Sequence, residues 1–434
     1  MIIKKIDIKN FKSYKNFCLS FEDDVNVIVG NNGFGKTALL DAIAVSLGGY
    51  LSALDSIKSS REIKKEEVRL ESFALGERVD VQPQYPVEVS CNAVLNEKVI
   101  SWTRELRTED GRTTRINAKE MTAVGREIQK SVRSGDKDIM LPLISYYGTG
   151  RLWLQKKRKK DASKVSFNNR FLGYMDCMEP ASNEKFMIQW FAVLENEYFM
   201  DGIEPAELKV VKKALKHLLN RCYDLNDGDR VEDIRYNPRI DEIEIAFINI
   251  INEKYKLPMS ALSDGYRNTL GLVADMIQRA CLLNPQLGER ALDETRGVVL
   301  IDEIDQHLHP KWQRHIISDL KSLFPKVQFI VTTHSPSILS TIEKEKLIML
   351  NKDEVSEYNP HTYGRDVNSI LLDVMEVSER LPEIQKEFDA IYEALEEERY
   401  NDVDEMISEF EKIIGKDDPE IIRLKIMLKF EWEA

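Results

Sequence analysis

Apolar residues follow two different periods along this 434-residue chain. Near the N-terminus they alternate with polar ones, in Ile2-Ile3-Lys4-Lys5-Ile6-Asp7-Ile8 and in Phe17-Cys18-Leu19-Ser20-Phe21. That is the period of half-buried strands. Val25-Asn26-Val27-Ile28-Val29 is nearly continuous instead, as in a strand covered on both faces. Val87-Glu88-Val89 and Val99-Ile100-Ser101-Trp102 flank a turn near Asn96-Glu97-Lys98 and predict a hairpin. Leu143-Ile144-Ser145-Tyr146-Tyr147, Gly297-Val298-Val299-Leu300-Ile301 and Phe329-Ile330-Val331-Thr332 read as further buried strands, and Glu242-Ile243-Glu244-Ile245-Ala246-Phe247 as an alternating one.

Helical spacing takes over elsewhere. Ala38-Leu39-Leu40-Asp41-Ala42-Ile43 follows the first buried strand, and residues 183–220 carry Leu208, Val211, Ala214, Leu215 and Leu218 on one face. Leu270, Val273, Ala274 and Ile277 form another such face. Beyond residue 365 two stripes appear, Ile384, Phe388, Ile391 and Leu395, then Met406, Phe410, Ile413 and Ile414. Strands interleaved with helices predict an α/β fold.

The segment between the first buried strand and its helix is the most informative. Gly30-Asn31-Asn32-Gly33-Phe34-Gly35-Lys36-Thr37 fits G-x-x-x-x-G-K-[ST] without mismatch, in the strand–loop–helix context that the chemistry needs. Its glycines let backbone N–H groups close on phosphate oxygens, and the helix N-terminus adds positive partial charge. Lys36 is placed to reach the β- and γ-phosphates of a nucleoside triphosphate, and Thr37 to offer its hydroxyl to Mg²⁺.

Downstream, the strand 297–301 ends in Asp302 and Glu303: Asp302 suits Mg²⁺ coordination, and Glu303 suits polarising an attacking water. The strand at 329–332 leads to His334, which can sense a γ-phosphate by hydrogen bonding. Ser263, Asp264 and Gly265 precede a helix and suit a phosphate, although Ser-Asp-Gly is also ordinary capping chemistry. His307 and His309 invite a metal reading, but no carboxylate spacing accompanies them.

Charge changes the picture in two places. The whole net charge of −13 lies between residues 366 and 434, where 21 acidic residues face 8 basic ones. Residues 101–164 carry 16 Lys/Arg against 8 Asp/Glu, with the run Lys156-Lys157-Arg158-Lys159-Lys160 at their end. That run is either a solvated loop or a contact to DNA, expected over 151–164. Five separated cysteines and the lack of a long apolar run predict reduced thiols in a cytoplasmic protein with no membrane span.

The order of 30–37, Leu262-Ser263-Asp264-Gly265-Tyr266, Leu300-Ile301-Asp302-Glu303 and Thr333-His334-Ser335-Pro336 resembles the ABC-type ATPases of the RecF, SMC and OLD group. Ile8-Lys9-Asn10-Phe11-Lys12-Ser13-Tyr14 is similar to that group's first strand, which implies that Lys12 lies near the phosphates. Tyr146-Tyr147-Gly148-Thr149-Gly150-Arg151-Leu152-Trp153, Asp302-Glu303-Ile304-Asp305-Gln306-His307-Leu308-His309-Pro310 and Tyr363-Gly364-Arg365-Asp366-Val367-Asn368 are similar to a narrower set, the PtuA-type ATPases of Septu and retron anti-phage systems.

The resemblance implies an ATPase head with a mixed-sheet core. Residues 1–164 would be its N-terminal lobe, 165–240 a mostly helical insert, 241–365 the C-terminal lobe and 366–434 an acidic helical tail. It implies two ATP molecules held between two copies, each γ-phosphate between 30–37 of one and Ser263, Asp264 and Gly265 of the other. It also implies an HNH-type nuclease partner. The tail helices would then dock in a partner's groove or pack on their own head.

Two departures stand out. Asp264 and Tyr266 replace the Gly and Gln usual in transporter ATPases, and no glutamine follows Tyr147 closely, Gln155 being the nearest candidate. The alternative function is a RecF-like DNA-repair ATPase that grips duplex DNA through 156–160 and other basic residues in 101–164. A nuclease fused in the same chain is not expected, because no Glu and Asp-x-Asp set follows Asn368 at the end of an apolar strand.

Overall fold

A computed structural model describes every residue except 56, 58–60, 153–166, 168, 180–183, 223–228, 379 and 434. The chain folds as two compact units, Met1–Arg365 and Asp366–Ala434.

The first unit begins with β1 (Ile2–Phe11) and β2 (Tyr14–Ser20), then β3 (Val25–Val29) and the helix α1 (Lys36–Leu51). A short ribbon, β4 (Leu70–Leu75) and β5 (Arg78–Pro83), is followed by the longer hairpin β6 (Val87–Leu95) and β7 (Lys98–Leu106), then α2 (Lys119–Arg133) and β8 (Leu143–Tyr147). The β6–β7 turn is two residues, Asn96 and Glu97, both at positive φ (50° and 66°). Such a turn matches the right-handed twist of its strands.

Next come α3 (Glu184–Asp201) and α4 (Ala206–Cys222), then β9 (Arg230–Asn237), β10 (Glu242–Ile248) and β11 (Lys254–Pro258). The strand β9 therefore lies inside the span expected to be mostly helical, and it pairs forward with β10. The unit closes with α5 (Asp264–Leu283), α6 (Ala291–Glu294), β12 (Gly297–Ile301), α7 (Pro310–Gln313), α8 (Ile316–Leu323), β13 (Val327–Thr332), α9 (Pro336–Leu339), β14 (Leu347–Asn351) and β15 (Glu354–Val355).

Two sheets enclose α1. One is antiparallel, in the order β2-β1-β6-β7. The other is mixed, in the order β15-β14-β3-β13-β12-β8, parallel throughout except for the β15 edge. Every residue of β3, β8, β12 and β13 is buried, which explains their near-continuous apolar sequences. α1 meets β1, β6 and β7 from one sheet and β12 and β13 from the other. Apart from Thr37 it is buried all round, so it needs no polar face. The phosphate loop is thereby suspended between the end of a central strand and a fully enclosed helix.

The second unit consists of α10 (Val367–Asp373), α11 (Pro382–Glu396), α12 (Tyr400–Ile414) and α13 (Pro419–Glu433). Phe388, Ile391 and Leu395 of α11 pack with Val403, Ile407 and Phe410 of α12 and with Ile421, Leu424 and Leu428 of α13. Arg380 clasps Asp418 with two hydrogen bonds, 3.0 and 2.9 Å, and lies 4.4 Å over the Phe388 ring. The tail's helices thus share a core of their own, while Ile422, Ile426 and Phe430 along α13 stay exposed. Ile413, read as a stripe member, points to solvent at 72% exposure.

Candidate functional site

The loop after β3 has the backbone that its glycines foretold. Gly33 and Gly35 sit at φ +84° and +86°, the left-handed region. Gly35 is also crowded: a Cβ there would lie 2.6 Å from the Tyr14 hydroxyl, which itself donates to the Gly35 carbonyl at 3.1 Å. Only glycine meets both demands. Lys36 is buried, and its ammonium donates to the carbonyls of Gly30 (2.8 Å) and Asn31 (3.1 Å). Burial lowers its pKa, while Asp302, Glu303 and Asp305 pull the other way.

Three strand ends converge on this loop. The parallel register sets Ile301 beside both Tyr147 and Val331, so Asp302 emerges level with β8 and β13. The Asp302 N–H donates to the Tyr147 carbonyl at 2.8 Å. Its buried carboxylate accepts from Thr37 Oγ1 (2.8 Å) and from Thr332 Oγ1 (2.6 Å). The Thr332 hydroxyl in turn accepts the Glu303 N–H at 2.7 Å. Glu303 sits at φ +47°, a strained conformation for this residue and one that concentrates at functional sites.

Two residues further, Asp305 Oδ1 accepts from Thr333 Oγ1 (2.6 Å) and from the His334 N–H (3.2 Å). His334 Nε2 is buried with no hydrogen-bond partner. Burial, then Lys36, lowers the His334 pKa against the opposing carboxylates Asp305, Glu303 and Asp302. A neutral imidazole with an unsatisfied ring nitrogen is suited to a phosphate oxygen or a water beside it.

The remaining expected residues are distributed as follows. Asn31, Asn32 and Phe34 lie on the loop itself, with the Phe34 N–H donating to the Asn31 carbonyl at 3.2 Å. Lys12, at φ +49°, ion-pairs with Asp41, one turn into α1 past Thr37, and reaches Glu67 at 3.9 Å. Arg61 joins the same two carboxylates. Ser263 holds the N-cap position of α5 without a side-chain capping bond, and Asp264 lies in the helix's first turn.

The contacts of that turn run to the loop after β12. A Cβ on Gly265 would stand 2.3 Å from the His307 carbonyl, and Tyr266 packs edge-on against Trp312 at 4.4 Å. Tyr266, a departure at sequence level, is therefore a packing residue. Lys156-Lys157-Arg158-Lys159-Lys160 and Gln155 lie outside the described residues, as does the DNA contact expected over 151–164 apart from the backbone of Arg151 and Leu152.

Sequence reasoning missed two features. Thr332 orients both carboxyl-bearing residues, yet a threonine at a strand end gives no local sign of it. Tyr147, Asp275 and Arg279 form a buried network: the Tyr147 hydroxyl donates to Asp275 (2.7 Å), and Arg279 donates to Asp275 (2.6 Å) and to the carbonyls of Gly173 and Met175 (both 2.9 Å). It ties α5 to the strand whose carbonyl holds Asp302. Burial raises the Tyr147 pKa well above its ordinary value, keeping the phenol a donor.

A phosphate loop closed onto a strand-end carboxylate, with a second carboxylate and a histidine beside it, is the site of an ATPase. The chain belongs to the AAA domain family, whose profile matches residues 5–227, and an AAA ATPase domain profile matches residues 205–339. Among its relatives, the retron Vc95 probable ATPase of Vibrio cholerae serotype O1 biovar El Tor is 26% identical over 87% of this chain and 79% of its own length. The Septu protein PtuA of Bacillus thuringiensis is 25% identical over 97% and 91%. A solved SMC head, bound to the C-winged helix domain of ScpA, superposes with a TM-score of 0.48 at 20% identity, over 83% of this chain and 98% of that one. The protein is an ATPase with relatives in Septu and retron systems, and no helix among the described residues is long and apolar enough to cross a membrane.

Proposed function

We propose that two copies of this chain close around ATP and that the closed state regulates or scaffolds a partner nuclease, of the HNH type, in anti-phage defence. The observation that carries the nucleotide chemistry is the Thr37–Asp302 hydrogen bond, which joins the phosphate loop to the strand-end carboxylate. A hydroxyl and a carboxylate oxygen in contact are the donor set that Mg²⁺ favours, so Thr37 and Asp302 would hold it. Bound there, the ion would offset charge on the phosphates.

The chain's own residues supply the rest. Lys36 and the N–H groups of 30–37, Asn31, Asn32, Gly33, Phe34 and Gly35 among them, would bind the phosphates, with Lys12 at the edge of the site. Glu303 would accept a proton from the attacking water, and His334 would hydrogen-bond the γ-phosphate or that water. Ser263, Asp264 and Gly265 would supply phosphate ligands from a turn whose Gly265 lies against the His307 carbonyl of the same chain. They would complete the site of the second copy. The likeness to PtuA and the retron ATPase supports the defence role.

Glu303→Gln tests this reading. The variant should bind ATP, hydrolyse it at least about a hundredfold more slowly and accumulate as a dimer. Hydrolysis at the normal rate would remove Glu303 from its role. ATP-bound monomers throughout would remove the two-copy arrangement, and salt-sensitive DNA binding by such monomers would favour the repair ATPase.

A further inference from the structure

The ribbon β4–β5 pairs with no other strand among the described residues. Its register sets Leu70 opposite Pro83, Ser72 opposite Val81 and Ala74 opposite Val79. Alternation places these six side chains on one face. None of them is charged, and Leu70, Val79 and Val81 are 61%, 67% and 48% exposed. The opposite face mixes Phe73 and Leu75 with Glu71, Arg78, Asp80 and Gln82. A lone two-stranded ribbon is marginally stable in water, and a contiguous apolar face on it marks an interaction surface.

The base of the ribbon is fixed to the rim of the phosphate loop. Arg69 N–H donates to the Asn10 carbonyl (3.0 Å), Gln84 N–H to the Arg69 carbonyl (2.8 Å) and Lys12 N–H to the Glu67 carbonyl (2.7 Å), while Phe11 bridges Val68. The same β1–β2 turn brings Ser13 and Tyr14 against Gly35.

We propose that the Leu70, Val79 and Val81 face docks on a second copy of this chain when two copies close around ATP. The inference rests on the two-copy reading above and names a surface that would form the contact. Chemistry selects the class of partner. A face with no cation cannot neutralise a nucleic-acid backbone or anionic lipid headgroups, so its occupant is protein. Position selects the copy: the ribbon's base is bonded to the β1–β2 turn that abuts Gly35 of the phosphate loop, the loop that the two-copy arrangement would cover.

The experiment uses the full chain carrying Glu303→Gln, with Mg-ATP, and reads the dimer constant by sedimentation across protein concentration. Val79→Lys with Val81→Lys in that background should still bind a fluorescent ATP analogue but dimerise at least about tenfold more weakly. Phe73→Lys, on the opposite face, should stay within about threefold of the parent. A dimer constant unchanged by the double substitution overturns the inference, as does association that appears only with added duplex DNA. If the lysine variant fails to bind ATP, Val79→Thr with Val81→Thr, which keeps the β-branching of both positions, is judged by whether it weakens the dimer at all. A parent that binds ATP yet stays monomeric defeats the two-copy reading itself; a parent that dimerises and a variant that dimerises equally defeat only the docking face.

Discussion

Replacing Thr332 by valine would remove one oxygen and almost no volume, yet the structure makes that oxygen the hinge of the hydrolytic side of the site. Its hydroxyl donates to Asp302 at 2.6 Å and accepts the Glu303 N–H at 2.7 Å, in a fully buried position. A hydrogen bond to a charged group contributes about 1.5–3 kcal/mol, and orphaning a buried N–H costs about 1–3 kcal/mol. Because the two losses share one atom and the site can relax, we expect Thr332→Val to lose about 2–4 kcal/mol of stability in urea unfolding. The catalytic effect follows from freedom at Glu303. Its strained backbone would no longer be held, and a misplacement of about 1 Å can cost on the order of a hundredfold in rate. Steady-state ATPase assays should therefore show kcat lowered about 10- to 100-fold. KM for ATP should change little, since Lys36 and the loop keep their contacts. Thr332→Ser restores the hydroxyl and should stay within about threefold of the native rate. If Thr332→Val turned over ATP within twofold of the native protein and unfolded at the same urea concentration, the bonds to Asp302 and Glu303 would not be what orients the site.

Two further outcomes follow from buried groups. Asp275→Asn leaves the enclosed Arg279 guanidinium without its carboxylate and should cost about 3–5 kcal/mol in urea unfolding, more than the roughly 1.5–3 kcal/mol expected for Tyr147→Phe, which removes one hydrogen bond; the reverse ranking would contradict the network. The depressed His334 pKa makes the unfolded chain take up its proton first as the pH falls, near the ordinary value of about 6.5. Stability from this group is thus full above that pH and lost as the pH falls toward the folded-state pKa. Nucleotide-free His334→Gln should show a shallower loss of stability below about pH 6.5, and an unchanged slope would refute the shift.

The nucleotide loop was legible because its information is local. The spacing of Gly30, Gly35, Lys36 and Thr37 fixes the backbone, and uninterrupted apolar runs announce strands covered on both faces. What stayed hidden depends on partners distant along the chain. Thr332 meets Asp302 only because β12 and β13 run parallel in a given register, and Tyr147 meets Asp275 across 128 residues. The β4–β5 ribbon carries a two-residue turn with Gly76 at φ +64°, but its strands mix Glu, Ser, Asp and Gln with apolar residues, so alternation gave only a faint signal. In the tail, the stripes were visible from their spacing and their destination was not. Periodicity says that a helix face is covered without saying by what, and here α11, α12 and α13 cover one another.

Within the head, the nucleotide site is joined to the Ser263, Asp264 and Gly265 turn by contacts inside a single chain. The loop after β12 is held at its start by Thr332 and by the Asp305 bonds to Thr333 and His334. It is held at its end by Gln313, which donates to the Leu308 carbonyl (3.0 Å) and accepts from Ser335 (2.7 Å). Between those anchors, His307 at φ +63° presents its carbonyl to Gly265 so closely that no other residue fits. A shift of Glu303 or His334 toward a γ-phosphate would therefore pass through this loop into the Ser263, Asp264 and Gly265 turn. The helix that begins there, α5, is tied from its middle, through Asp275, to the strand carrying Tyr147. If that turn contacts the ATP of a second copy, the chemistry at one nucleotide would be mechanically linked to the grip on the other by contacts within a single chain.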